Sequence, residues 1–149
     1  MSKIQVNTMT LALALELIEG VKTVQKDKDL PPFNITVVDD SGLLTAFNRQ
    51  DGSLKGSLQV SQLKANSSAL FRLTTRTIKD LAFGDGTNAP TEPGMVHIPG
   101  VLAVPGGVPV FNAEGTVIGA IGVSGANDDD DEMAAITAIE KAKASFDLQ

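Results

Sequence analysis

The sequence predicts an α+β fold, an antiparallel sheet of about five strands flanked by helices. Three observations lead there. Two segments pair short, β-branched runs around clusters of turn residues, as hairpins do. The stretches that open and close the chain repeat apolar residues at three and four, the period of one helical face. Two further helical patterns lie between the hairpins.

From Thr8 to about Lys28, the residues Leu11, Ala14, Leu15, Ile18, Val21 and Val24 line one face of a helix capped by Asn7 or Thr8 and ended by Pro31-Pro32. Gly20 inside it costs about 1 kcal/mol relative to Ala, so something is expected to pack closely there. Ile35 to Asp39 and Leu43 to Arg49 then pair around Asp40-Ser41-Gly42. Ser57 caps a helix whose Val60, Leu63, Ser67, Leu70 and Phe71 share a face, and Thr74 or Thr75 opens a shorter one that runs through Ile78, Leu81 and Ala82 to Gly84.

The stretch from Gly84 to Gly100 holds four Gly and three Pro in 17 residues, too long and too broken for a plain connection, and it carries His97, the only histidine. Val101 to Val104 is expected to supply the fifth strand. Val108 to Phe111 and Thr116 to Val123 form the second hairpin around Asn112-Ala113-Glu114-Gly115, with Gly119 and Gly122 leaving a shallow groove on its second strand. It repeats the first hairpin. Val38-Asp39-Asp40-Ser41-Gly42 aligns with Phe111-Asn112-Ala113-Glu114-Gly115, one supersecondary unit used twice. The last helix starts at Asn127 or Asp128 and turns Ala135, Ile136, Ile139, Ala142 and Phe146 inward. Asp128 to Glu132 stand at its positive end, with Lys141 and Lys143 near its negative end.

A chain of 149 residues suits one domain over positions 1–149. Its net charge of -6 argues against nucleic acid and against an anionic membrane face. The absence of cysteine removes disulfides, thiolate nucleophiles and cysteine-ligated metals together. Glu16 interrupts the apolar run from Leu11 to Ile18 and no cleavage site follows, so a cytoplasmic protein is expected, with export left open.

The glycine-rich turn before the last helix is not a phosphate cradle, because Asp128 to Glu132 would repel an anion and no P-loop lysine is present. Ser124, in Gly122-Val123-Ser124-Gly125-Ala126, nearly matches a nucleophile elbow, but the lone histidine precedes it and Ala126 replaces the second glycine. Consecutive Asp128 to Asp131 lack the spacing of a calcium loop and read as helix capping with a solvated acidic face, so no metal site is expected.

Pro105-Gly106-Gly107-Val108-Pro109, Gly119-Ala-Ile-Gly-Val-Ser-Gly-Ala126 and the acidic Asp131-Glu132 resemble the signature of the GlcG/HbpS family. This is the haem-binding or haem-degrading domain also found at the C-terminus of PduO proteins. Val37 to Leu44, Arg49 to Ser53 and Lys64-Ala65 agree with the same pattern in the same order, so the resemblance covers nearly the whole chain. It implies a profilin-like fold, a small oligomeric ligand-binding protein, and haem as a cofactor. Under that resemblance His97 is an axial ligand candidate, with Met95 and Met9 as other soft donors; otherwise it is a partly buried loop histidine with a satisfied hydrogen bond. Arg49, Asp51 and Lys64 match the family's polar positions, where they would hold a carboxylate or propionate, or else merely pair at the surface and form a turn. The ligand is expected between the Gly119, Gly122 and Ser124 hairpin, the His97 loop and a neighbouring subunit.

The alternative is an enzyme or accessory subunit acting on a small metabolite in a catabolic operon of the glycolate or diol type. Acid–base chemistry would then fall to His97 or to Asp39, Asp51 and Lys64, which no spacing brings together. A homo-oligomer is expected in either case, because Leu13 and Leu17 form a second apolar stripe on the first helix and Gly20 would admit another backbone.

Overall fold

A computed structural model of the chain describes residues 2–149. The elements follow as α1 (Leu11–Asp27), β1 (Asn34–Asp39), β2 (Leu44–Arg49), α2 (Gly56–Phe71), α3 (Thr75–Phe83), a short 3-10 turn (Pro93–His97), β3 (Gly107–Phe111), β4 (Val117–Ser124) and α4 (Asp128–Ala142). The sheet is antiparallel in the order β2-β1-β4-β3. It has four strands among the described residues, not about five. The segment from Val101 to Val104 makes no strand because its backbone is bonded elsewhere: Val101 N–H donates to the Ile98 carbonyl and Leu102 N–H to Ser67 Oγ. Pro109 is tolerated in β3 because that strand lies at the sheet's edge.

The two hairpins are the same device. Asp39 Oδ1 accepts from the N–H groups of Ser41 and Leu43, and Asn112 Oδ1 accepts from those of Glu114 and Thr116. Gly42 and Gly115 both take φ of 78°, which favours glycine, and each hairpin shifts register just before the turn, at Val37/Val38 and at Val110/Phe111.

Helices α1 and α4 pack on each other and on one face of the sheet, around Leu13, Leu17, Val21, Ile35, Val37, Ile121, Ala135 and Ala138. The inward face of α1 is rotated from the one the periodicity suggested. Leu13 and Leu17 are fully buried, whereas Leu11 and Leu15 are 58% and 50% exposed, so the stripe expected at a subunit contact belongs to the core. The reason lies in Leu11 to Ile18, where apolar residues cover every direction of the helix and cannot set its phase. Gly20 sets it: the position a Cβ would take is 3.0 Å from Ala138 Cα, so the backbone it admits is that of α4. The helix cap is Thr10, whose hydroxyl accepts from Leu13 N–H, not Asn7 or Thr8. In α4, Ile136 points outward and Ala134 and Ala138 take inward places beside Ala135, Ile139 and Ala142.

Helix α2 covers the other sheet face. Its buried side is Ser57, Ser61, Lys64, Ala65, Ser67, Ser68 and Ala69, while Leu70 and Phe71 are exposed. Small residues face the sheet because the helix lies almost directly on Gly122 of β4. Two of its buried hydroxyls bond within the fold: Ser61 meets Thr36 and the Leu58 carbonyl, and Ser68 donates to the Leu73 carbonyl. Ser57 forms no cap, since the helix begins at Gly56. Thr74 and Asn127 cap α3 and α4 through their side chains, as expected. Among the described residues no helix is long and apolar enough to cross a membrane.

Candidate functional site

The motif residues converge on a buried ion pair. Lys64 projects from the middle of α2 and donates from Nζ to Asp131 Oδ2 and to the Val123 carbonyl, both at 2.9 Å. Asp131, on the first turn of α4, accepts on its other oxygen from Ala126 N–H at 2.8 Å. Both side chains are almost wholly buried, at 1% and 3% exposure. Burial pushes the Asp131 carboxyl above its ordinary range, opposed by the Lys64 charge, its hydrogen bond and the backbone N–H groups. The acidic run is therefore not one solvated face: Asp131 turns inward while Asp128 and Asp129 stay exposed.

The glycines of the signature make this centre fit. A Cβ on Gly106 would stand 2.6 Å from Lys64 Nζ, and one on Gly107 would strike the Lys64 carbonyl and lie 2.7 Å from Thr75 Cγ2. Gly107 N–H is held by Thr75 Oγ1 at 2.8 Å, which fixes the entry to β3 against the start of α3. Beside the pair, half-buried Arg76 reaches Glu132 at 2.9 Å and Asp129 at 2.6 Å, and these carboxylates raise its pKa, the Glu132 hydrogen bond most of all.

Several residues expected at a ligand thus lie inside the fold. Lys64 is consumed by its pair with Asp131, and Ser124 is buried opposite Asn34. The groove expected over Gly119 and Gly122 is closed: the Ser61 carbonyl and Ala65 of α2 lie against Gly122, and the Val38 carbonyl and Met9 Cε lie against Gly119. Met9 is itself a core residue. On the outside are His97, exposed at the end of the 3-10 turn, half-buried Met95 on the same turn, and exposed Arg49 and Asp51 at and after the end of β2. His97 is flanked by exposed Val96 and Ile98, with exposed Phe83 ending the helix that packs against this turn. Of the residues considered for acid–base chemistry, Asp39 is occupied by its hairpin turn and Lys64 by its pair with Asp131, while Asp51 and His97 are exposed on separate segments.

A cavity absent from the sequence reading opens between the first hairpin and α2. It measures about 370 Å³ and is lined by Thr36, Val38, Gly42, Leu44, Gln62, Leu63 and Asn66. Periodicity singles out only Leu63 among them, since the rest come from two strands, a turn and the flank of a helix.

Known proteins share this architecture. The sequence profile of the family described as haem degrading protein HbpS-like matches residues 9–140. Protein GlcG of Escherichia coli (strain K12) is 36% identical over 91 residues, 61% of this chain, and the match spans 63% of GlcG, less than two thirds of its length. The crystal structure of a double mutant of HbpS from Streptomyces reticuli is similar at a TM-score of 0.79 and 27% identity, over 92% of this chain and 88% of that one. In fold alone, the PduOC:haem complex is similar at a TM-score of 0.79 and 20% identity, over 95% of this chain and 97% of that one.

Proposed function

We propose, from the premise that this chain belongs to the HbpS-like family of haem degrading proteins, that it is a homo-oligomeric binding protein whose ligand is haem and whose axial donor is His97. One observation carries the choice of donor. His97 holds the only imidazole in a chain without Tyr or Cys, and it is exposed between the exposed apolar residues Val96 and Ile98. That setting fits a flat apolar ligand held by one nitrogen. Met95, on the same turn, is the second soft donor, and the Arg49 guanidinium is suited to a propionate. Bound haem would supply the iron centre; the chain's part is to donate the imidazole and cover the ring's apolar faces. Titrating haemin into the purified protein is expected to give a saturable Soret shift that His97→Ala abolishes or moves. Identical titrations of the two proteins would remove His97 from the ligand set, and no shift in either would remove haem.

The assembly rests on the same surface. Phe83, 60% exposed, ends the helix that packs against the turn carrying exposed Val96 and Ile98, and a second subunit would cover these apolar side chains. Light scattering at micromolar concentration is expected to report a multiple of 15.5 kDa. Phe83→Glu should lower that mass without unfolding the chain, because the side chain lies outside the core. A monodisperse wild-type monomer would sink the assembly.

A further inference from the structure

We infer that the cavity between the first hairpin and α2 is a second binding site, for an uncharged small molecule with an apolar body and one hydroxyl or carbonyl group. The inference goes beyond the haem reading and does not depend on it. Three features of the lining carry it.

The first is size, since about 370 Å³ lies within the range of cavities that hold small ligands. The second is charge. Thr36, Val38, Gly42, Leu44, Gln62, Leu63 and Asn66 include no ionisable side chain, so a charged ligand entering here would lose its hydration and meet no counter-ion. Haem itself does not suit the cavity, because the lining offers neither an iron donor nor a cation for a propionate. The third is the placing of the polar groups. Gln62 and Asn66 stand one helical turn apart on α2, both half-buried, and neither side-chain amide is engaged in a hydrogen bond among the described residues. Each amide can both donate and accept, so either could meet a hydroxyl or a carbonyl. Among the described residues no thioether, imidazole or guanidinium group lines it.

The surrounding fold keeps this cavity open. Gly42, at the positive φ of the hairpin turn, presents no side chain where the Asn66 amide oxygen sits, so any Cβ there would collide with it. Ser67, next along α2, is engaged by the Gly100 carbonyl and Leu102 N–H, which pins the long loop across the helix beside the cavity. Exposed Leu44 lines the cavity, and exposed Leu70 lies against Gly42 beside it.

Benzyl alcohol and benzoate, alike in size and different in charge, test the site on protein labelled with nitrogen-15 at its Gln and Asn side chains. Benzyl alcohol is expected to shift the Gln62 and Asn66 amide resonances saturably, and benzoate to bind at least about tenfold more weakly. Leu44→Trp, at an exposed strand position that accepts an aromatic side chain, should fill the mouth and abolish the shifts while leaving the remaining spectrum folded. The site is overturned by benzoate binding as well as the alcohol, by shifts that persist in Leu44→Trp, or by no saturable shift at either amide. Coverage of the cavity by a second copy of the chain would give that last result. None of these outcomes bears on the haemin titration, so the two readings fail separately.

Discussion

Lys64→Met is expected to destabilise the fold by about 3–5 kcal/mol, because it leaves the Asp131 carboxylate buried without its cation. Methionine fills much of the same space, so the loss is electrostatic, not a cavity effect. The double variant with Asp131→Leu should recover most of it, since a buried pair replaced as a whole by apolar groups is often neutral or stabilising. The single variant also acquires a pH dependence of definite sign. Burial already holds the Asp131 carboxyl above its ordinary range, and removing Lys64 removes an opposing influence. The folded variant then keeps its proton above the unfolded value of 3.8 while the unfolded chain releases it. The native state binds more protons across that window, so the variant loses stability as pH rises. Urea midpoints should therefore differ least from wild type near about pH 4 and most near about pH 7. A deficit independent of pH would show that the carboxylate is compensated by some other group.

Gly122→Ala is expected to cost about 3 kcal/mol or more, or to prevent folding. Its added methyl would collide with the Ser61 carbonyl and stand 2.6 Å from Ala65 N, and both are helix backbone that cannot turn aside. Relief would require α2 to lift from the sheet, breaking the Thr36 contact with Ser61 and disturbing Lys64 above its partner. Gly56→Ala is the control, because nothing lies within 4 Å of the position a Cβ would take and alanine is the better helix former. Thermal unfolding followed by circular dichroism should separate the two by many degrees. Equal midpoints would mean that α2 does not sit on β4 as closely as described.

Much of the chain was legible because its signals are local. Asp39 and Asn112 announce the twin turns through side chains that bond their own backbone, and Thr74 and Asn127 announce helix starts in the same way. Apolar periodicity, by contrast, failed where burial does not follow hydrophobicity. On α2 it pointed to Leu63, Leu70 and Phe71, but the sheet lies so near that only serine, alanine and one paired lysine fit beneath the helix. The expected ligand positions failed for a related reason. Glycines and charged residues that read as a binding motif are also what a tightly packed ion-pair centre needs, and Gly106, Gly107, Gly122, Lys64 and Asp131 serve that centre.

By itself, then, the sequence determined the order of the four helices and two hairpins, the duplicated hairpin unit, the starts of α3 and α4 to within one residue and the family resemblance, all of which are written in short-range chemistry or motif spacing. Only the tertiary structure decided the phase of α1, the inward face of α2, the loss of a fifth strand and which aspartate of four turns inside. Each depends on what stands opposite: Ala138 against Gly20, β4 against Ser61 and Ala65, Ser67 against Leu102, and Lys64 against Asp131. A residue's neighbour across the core is not encoded in its own spacing, and those contacts exist only once the layers have closed.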